Sequence, residues 1–258
     1  MKKLSGILLA IAALAVGCGK VIEYKSGDYG AAQFINTSPS SPIFNVLVDG
    51  INQTATSLVY RGSTSYLNLR PGARNVVLRS NNPALPVDYI SLPNENFETN
   101  KAATFIAYDT LLTPTGKLKY IRLSDTLTPA PDGILRVRYI PVAVNAPLSD
   151  ITFLRVSVVP NDSVTITNRG YIGAAPSASL INSLSSYFQI PGGNYIIRQK
   201  IAGSQTVIAT TPNPLMVPTP AGSFITSIGG IFKGNFTIYS TGTARGLPLS
   251  IGFVRQFP

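Results

Sequence analysis

Histidine and tryptophan are missing from this chain of 258 residues, and Cys18 is its single cysteine. A chain without histidine cannot assemble Ser-His-Asp or Cys-His catalysis, and it has no imidazole to act as a general base. It also lacks the ligand that most zinc and copper sites use. One cysteine cannot close a disulfide within the chain, so ordinary core burial must hold the fold together. We therefore predict no catalytic residue, no metal site and no cofactor.

Other catalytic signatures are missing as well. The chain contains no Gly-x-Ser-x-Gly, no Ser-x-x-Lys, no phosphate-binding P-loop and no Gly-x-Gly-x-x-Gly. Two facing carboxylates would suffice for glycoside hydrolysis, and Glu95 with Glu98 is the nearest local pair. The neighbouring Pro93 and Asn94 indicate a solvated loop for this pair instead. We predict that the protein is not an enzyme.

Charged residues are scarce too. They make up 12% of the sequence, whereas apolar residues make up 45%, and 22 glycines and 20 prolines supply many turns. This composition is typical of a β-rich extracytoplasmic protein. The formal net charge is +10, but the basic residues are scattered, so we expect no nucleic-acid partner. The charge suits either general attraction to an anionic cell surface or an acidic polysaccharide ligand.

A short apolar segment stands at the start of the chain. Lys2 and Lys3 precede an apolar stretch over residues 4–17, and Cys18 follows directly. A charged start, about a dozen apolar residues and a small residue at the exit form the pattern of a secretory signal. The stretch is too short to span a bilayer, which needs about 20 apolar residues. We predict a signal peptide over residues 1–17.

The end of this signal resembles the lipobox of bacterial lipoproteins. Residues 15–18 read Ala-Val-Gly-Cys, and Leu14 stands one position earlier than the leucine of that family. The resemblance implies cleavage before Cys18 and attachment of diacylglycerol to its sulfur, and two or three acyl chains make such anchoring effectively permanent. We expect a lipidated tether over residues 18–29 and an outer-membrane location, facing either the surface or the periplasm. The alternative is an ordinary cleaved signal that leaves a spare thiol.

The rest of the chain consists of two related halves. Residues 65–79 are similar to residues 186–198, with a Pro-Gly turn at the same point of each copy. Residues 103–107 are similar to residues 222–226. A spacing of about 120 residues is too long for a solenoid and predicts two tandem domains.

Each half alternates short β-branched or aromatic runs with turn residues, which is the pattern of an antiparallel β-sandwich. In the first half we predict strands over residues 31–36, 43–48, 65–69, 75–80, 87–91, 103–108 and 117–123. In the second half we predict strands over residues 134–144, 153–159, 163–167, 187–190, 195–201, 224–228, 236–239 and 249–254. A proline-rich connector over residues 127–133 separates the halves. The predicted fold is all-β, with two tandem Ig-like sandwiches over residues 30–126 and 133–258.

The first half also resembles a known bacterial family. The segments that carry the likeness are QFINTSP (33–39), FNVLVDG (44–50), YRG (60–62) and YLNLRPG (66–72). In this order they resemble the domain of unknown function family forty-three ninety-seven (DUF4397), an Ig-like or transthyretin-like sandwich of surface and secreted bacterial proteins. The resemblance implies tandem copies on a lipobox anchor, as is typical of members from Bacteroidota, and it supplies no functional residues. It is weaker over residues 133–258.

The repeat puts a tyrosine and an amide at the same point of each half. Tyr66 and Asn68 alternate with apolar residues in one copy, as Tyr187 and Gln189 do in the other. Since alternate residues of a strand share a face, each pair lies on the less apolar face of its sheet. These four residues are our candidate ligand face. The alternative is that the rings cover a neighbouring strand or help the domains to pack.

Arg136 and Arg138 alternate with apolar residues in the same way, so we expect them to face solvent or the first domain. Together these features predict a non-catalytic, lipid-anchored protein of the cell envelope that presents two β-sandwiches for binding, adhesion or a structural role. Its expected partners are the membrane, through the anchor, and a polysaccharide or an envelope protein. The alternative function is a glycan-binding accessory lipoprotein of a polysaccharide-uptake system.

Overall fold

The structure is a computed structural model that describes residues 28–40, 43–84, 86–110, 118–126, 128–155, 162–173, 175–210, 233–242 and 249–256. The predicted signal peptide, Cys18 and most of the predicted tether lie outside these residues. Among the described residues, no helix is long and apolar enough to cross a membrane.

The first half folds into eight strands. They are β1 (Gly30–Asn36), β2 (Phe44–Val48), β3 (Ile51–Asn52), β4 (Leu67–Leu69), β5 (Gly72–Ser80), β6 (Asp88–Phe97), β7 (Ala102–Tyr108) and β8 (Lys119–Asp125). They form two four-stranded sheets, in the orders β3-β2-β5-β6 and β4-β1-β7-β8. Asp49 and Gly50 turn the chain between β2 and β3 with φ angles of 50° and 80°, as a two-residue hairpin turn requires.

The second half repeats this arrangement and adds one helix. Its elements are β9 (Ile134–Pro141), β10 (Ser149–Arg155), β11 (Asp162–Arg169), α1 (Ala178–Ser185), β12 (Phe188–Pro191), β13 (Tyr195–Ile201), β14 (Val207–Thr210), β15 (Gly234–Thr241) and β16 (Ser250–Gln256). The sheets run β11-β10-β13-β14 and β12-β9-β15-β16. The predicted all-β fold with two tandem sandwiches is confirmed.

Strand register defines which residues of the two halves are equivalent. Ala31 of β1 lies opposite Asn68 and Ala102, and Arg136 of β9 lies opposite Gln189 and Asn235. In both halves the first strand pairs in parallel with one neighbour, β7 or β15, and antiparallel with the other, β4 or β12. Counting along the strands from these positions gives four further equivalent pairs: Gln33 with Arg138, Tyr66 with Tyr187, Thr104 with Thr237, and Asp125 with Gln256.

Each sandwich has its own apolar core between its two sheets. In the first, Phe34 of β1 stacks on Phe105 of β7 with ring centroids 5.0 Å apart, and Val46 and Val76 face them from the other sheet. In the second, Phe153 of β10 meets Phe188 of β12 edge to face. Full burial of one such side chain contributes about 1.5–3 kcal/mol. Core burial of this kind is what stabilises a fold without disulfides.

A third apolar cluster lies between the sandwiches. It joins Ile35, Ile106 and Tyr108 of the first half to residues such as Ile140 and Tyr239 of the second. Every residue of β7 and of β15 is buried, so these strands are covered on both faces. The four sheets therefore stack as four layers, and the sheets β4-β1-β7-β8 and β12-β9-β15-β16 are the two middle layers.

Helix α1 was not predicted. Ser177 caps its first turn by accepting a hydrogen bond from the Leu180 amide at 3.2 Å. Leu180, Ile181 and Leu184 form a narrow apolar stripe that packs into the cluster between the sandwiches. Eight residues are too few for a stable helix on their own, so this tertiary packing supports α1.

Several strand predictions need correction. Strand β6 continues through Glu95, which was expected in a loop, because Asn94 adopts a φ of 59° and the pairing with β5 shifts register there. The strand equivalent to β7 is β15, not residues 222–226, which lie outside the described residues, as does the predicted strand 224–228. Strand β7 of the first half therefore corresponds to residues 234–241 of the second half. Sequence similarity alone did not find this correspondence.

Candidate functional site

A buried ion pair lies at the centre of the contact between the sandwiches. Nη2 of Arg138 is 2.5 Å from Oδ1 of Asp125, and their side chains are 1% and 0% exposed. Asp125 ends β8 of the first half, whereas Arg138 lies in β9 of the second. The pair therefore joins the two sandwiches directly.

The other two nitrogens of the Arg138 guanidinium also donate hydrogen bonds. Its Nε donates to Oγ1 of Thr237 at 2.8 Å, and its Nη1 donates to the carbonyl of Ser124 at 2.9 Å. The guanidinium also lies over the ring of Tyr187, with its central carbon 4.9 Å from the ring centroid, which is cation–π geometry. Such a set of partners is what makes a buried ion pair tolerable, because desolvation of two charges costs several kcal/mol per ion.

The Asp125 carboxylate collects donors from both halves. Its Oδ2 accepts from Tyr66 at 2.8 Å and from Thr104 at 2.7 Å. Its Oδ1 accepts from Nε2 of Gln256 at 3.1 Å, and the Tyr187 hydroxyl lies 3.5 Å away and donates to Oε1 of Gln256. We name these residues the interface network: Tyr66, Thr104, Asp125, Arg138, Tyr187, Thr237 and Gln256.

Both tyrosines of the network titrate at unusually high pH. Burial raises the pKa of Tyr66, and the nearby Asp125 carboxylate raises it further. Burial also raises the pKa of Tyr187, and this effect exceeds the opposing influence of Arg138. Both hydroxyls therefore remain protonated and act as hydrogen-bond donors around neutral pH.

The structure separates the four residues of the candidate ligand face. Tyr66 and Tyr187 are half-buried in the interface network, whereas Asn68 and Gln189 are exposed. Asn68 lines a cleft of about 320 Å³, together with Tyr29, Val48, Asp49, Ile51, Gln53, Leu69, Arg70 and Arg74. The Tyr187 hydroxyl reaches Asp125 of the first half, whereas the Tyr66 hydroxyl bonds to Asp125 of its own half. A ligand role for the face stays a prediction.

Sequence reasoning missed the acid at the centre of the network. Asp125 ends a strand and adjoins the predicted connector, and nothing in its neighbourhood marks it as buried. Only the strand register equates residues 119–125 with 250–256, and thereby Asp125 with Gln256. Arg138 was expected to face solvent or the first domain, and it faces the first domain.

Six acidic residues in the described part of the chain are paired with basic groups. Six ion pairs join a single carboxylate to a single basic group: Asp49–Arg74, Asp88–Arg79, Asp109–Lys119, Glu95–Arg122, Asp125–Arg138 and Asp132–Lys233. In the same part of the chain, no three His, Cys, Asp or Glu side chains are grouped so that they could hold a metal ion. Glu95, the first residue of the local acidic pair, forms an ion pair with Arg122 at 3.0 Å.

Comparison with known proteins identifies the first half. Residues 30–152 match the family model described as Domain of unknown function (DUF4397), so the match runs beyond the predicted connector into β10. No curated protein matches the chain. A solved structure of the tip fimbrial protein Mfa3 from Porphyromonas gingivalis, with a C-terminal truncation, is 10% identical with a TM-score of 0.24, covering 88% of this chain and 99% of that one. The predicted resemblance is confirmed by this match, which covers residues 30–152.

Proposed function

We propose that this chain is a non-catalytic protein of the cell envelope, anchored in the outer membrane through a lipid on Cys18. Its two sandwiches act as one rigid body that is presented for binding, adhesion or a structural role. The observation that supports this proposal is the buried pair Asp125–Arg138 between the sandwiches.

Rigidity follows from the cost of separating the halves. Loss of one partner from a buried ion pair costs about 3–5 kcal/mol, because it leaves a desolvated charge alone. Opening the interface would also expose apolar residues of the third cluster, such as Ile35 and Ile140. An envelope protein that holds a surface at a fixed distance from a membrane needs such a stiff body, whereas a hinged pair of domains would not provide it.

The anchor is tested on the full chain, expressed in a Gram-negative host. We expect that Cys18→Ser abolishes labelling by radioactive palmitate and releases the protein from the envelope pellet. The matched control adds Ser26→Cys to Cys18→Ser, which restores a thiol eight positions later and should not restore labelling. Labelling that persists in Cys18→Ser would contradict the anchor. Protease treatment of intact cells then distinguishes the surface from the periplasmic side.

Glycan binding is the second candidate function, and the cleft beside Asn68 favours it. Arg74 lines this cleft and pairs with Asp49 at 3.2 Å, so a basic and an amide group lie within reach of one ligand. We expect retardation in gels that contain an acidic polysaccharide, and loss of retardation in Asn68→Ala but not in Gln189→Ala. Absence of retardation with both acidic and neutral polysaccharides would exclude this function and would leave the anchor untouched.

A further inference from the structure

A groove of about 410 Å³ runs along one side of the second sandwich. It lies where the edge strand β11 of one sheet approaches the edge strand β12 of the other. Its lining residues are Val164, Thr165, Ile166, Thr167, Arg169 and Phe188. We name it the lateral groove.

In the first sandwich an extended segment lies beside β2, on the side that corresponds to the place of β11 beside β10. Leu58 exchanges backbone hydrogen bonds with Phe44 at 2.8 and 3.2 Å. Ser63 then bridges to Ile35, and the Thr64 amide donates to the carbonyl of Phe34 at 2.9 Å. An extended segment therefore passes from the edge of one sheet to the edge of the other and continues along β1.

The second sandwich makes the same crossing but does not continue along the strand. The Ile172 amide donates to the carbonyl of Pro141 at 3.1 Å, as the Arg61 amide donates to that of Asn36 at 2.7 Å. Strand β12 pairs with β9 only over residues 134–137, and α1 stands where the chain would otherwise continue along the strand. Among the described residues, no strand pairs with residues 138–140 of β9 on that side. A cavity of about 30 Å³ lies there, lined by Arg138, Tyr139, Ile166, Arg169, Ser183, Leu184, Ser186 and Phe188. The lateral groove and this cavity share Ile166, Arg169 and Phe188.

Strand β11 offers an edge to which another strand can pair. Among the described strands it pairs only with β10, so no described strand lies along its other edge. Val164 and Ile166 are half-buried and alternate with the exposed Thr165 and Thr167. An added strand would gain main-chain hydrogen bonds from the edge and apolar contacts from alternate side chains, which is how extended peptides are recognised.

Arg169 supplies a charge at the end of the groove. Its side chain forms no ion pair among the described residues, and its buried Nε has no hydrogen-bond partner there. A buried donor without a partner is destabilising, and a carboxylate would satisfy a guanidinium with charge-assisted hydrogen bonds. In the part of the chain that the structure describes, the groove thus combines a strand edge without a neighbouring strand, an apolar wall and a cation without an ion-pair partner.

We propose that the lateral groove binds an extended segment of a partner protein, which pairs with β11 and sets a carboxylate against Arg169. The edge of β11 indicates the form of the occupant, because an extended segment can pair with it. Arg169 indicates that the occupant carries a negative charge at this end of the groove. This assignment adds a partner class to the proposed function and does not depend on the anchor at Cys18.

The test uses the full chain in detergent and a fluorescent nine-residue peptide of alternating valine and threonine with one central glutamate. A matched peptide carries glutamine in place of glutamate. We expect the glutamate peptide to bind at least about tenfold more tightly by fluorescence anisotropy, as a charge-assisted bond implies. Arg169→Gln should remove this preference and leave thermal unfolding unchanged. The matched control Arg198→Gln, on β13 of the same sheet, should keep the preference.

A second probe tests strand pairing without altering the protein. Methylation of alternate backbone nitrogens in the glutamate peptide removes its edge donors, and binding should fall to background. A photoreactive group on the peptide should crosslink to Val164 or Phe188. The proposal is overturned if neither peptide binds at millimolar concentration, if the methylated peptide binds equally well, or if Arg169→Gln keeps the preference. Concentration-dependent dimers in ultracentrifugation that the glutamate peptide does not dissociate would assign the edge to a second copy and would also overturn it.

Discussion

The two halves carry the same tyrosine at their contact but differ in the charged positions around it. Tyr66 and Tyr187 are equivalent, whereas Asp125 is matched by Gln256 and Arg138 by Gln33. Two copies of Asp125 would bring like charges together in a dry interface. Instead, the interface holds one acid, Asp125, and one base, Arg138, and their equivalents Gln256 and Gln33 are neutral amides. The four positions together therefore carry no net charge. Halves joined in one chain can diverge in this way, while a symmetric dimer must present the same patch twice.

The largest expected effect comes from breaking this asymmetry. Arg138→Met leaves the Asp125 carboxylate buried without its cation, and we expect the free energy of unfolding to fall by about 3–5 kcal/mol. Denaturant unfolding measures the loss. The double variant with Asp125→Asn removes both charges and should recover part of it. A loss below about 1 kcal/mol in the single variant would mean that the ion pair does not hold the halves together.

A second prediction sharpens the comparison at the sides of the sandwiches. Leu58 is 3% exposed in the first core, whereas Ile166 of the second sandwich is only half-buried beside the lateral groove. We expect Leu58→Ala to cost about 3 kcal/mol and Ile166→Ala about 1 kcal/mol by denaturant unfolding. Equal losses would show that both sides are equally closed, and they would weaken the case for an occupant.

A third prediction concerns the two tyrosines and is the smallest in size. The Tyr66 hydroxyl bonds to a carboxylate and that of Tyr187 to an amide, so we expect Tyr66→Phe to cost about 2 kcal/mol and Tyr187→Phe about 1 kcal/mol. Denaturant unfolding at neutral pH measures the free energy of unfolding of the two variants. The reverse order would mean that the bond to Gln256, or the ring contact with Arg138, outweighs the bond to Asp125.

The same tyrosines give stability a dependence on alkaline pH. Their pKa values are raised in the folded state above the unfolded value of about 10, so the unfolded chain loses these protons first. Their contribution is complete below about pH 10 and declines as pH rises further. Unfolding midpoints measured between neutral pH and pH 11 should fall above pH 10, and less steeply in each Phe variant. Identical slopes in both Phe variants and the parent chain would contradict this assignment.

The sequence predicted much of the fold because strands carry a local signal. The alternation in β2 and β5 and the Asp49-Gly50 turn are visible in neighbouring residues. Helix α1 was missed because it has only eight residues, three of them serines, and because its support comes from a cluster built by both halves. Glu95 was assigned to a loop since Pro93 and Asn94 read as a turn, although they form a bulge inside β6.

The interface network was harder to predict because it depends on long-range register. Tyr66 and Tyr187 could be paired from the repeat, and contact between domains was among the roles considered for them. Their common partner Asp125 comes from a strand whose repeat was not recognised, and Gln256 lies 131 positions further along the chain. Only the stacking of the two middle sheets brings these residues together.

The position of β1 determines how the molecule responds to mechanical force. A pull on the chain from its N-terminal side reaches β1 first, and β1 lies between β4 and β7 in a middle sheet. Six residues of β1 are registered with β7 in a parallel pairing, so tension along the strand shears these hydrogen bonds together instead of opening them one at a time. The first of the described strands to bear tension is thus paired on both edges, and the load is shared by the hydrogen bonds of its whole parallel ladder.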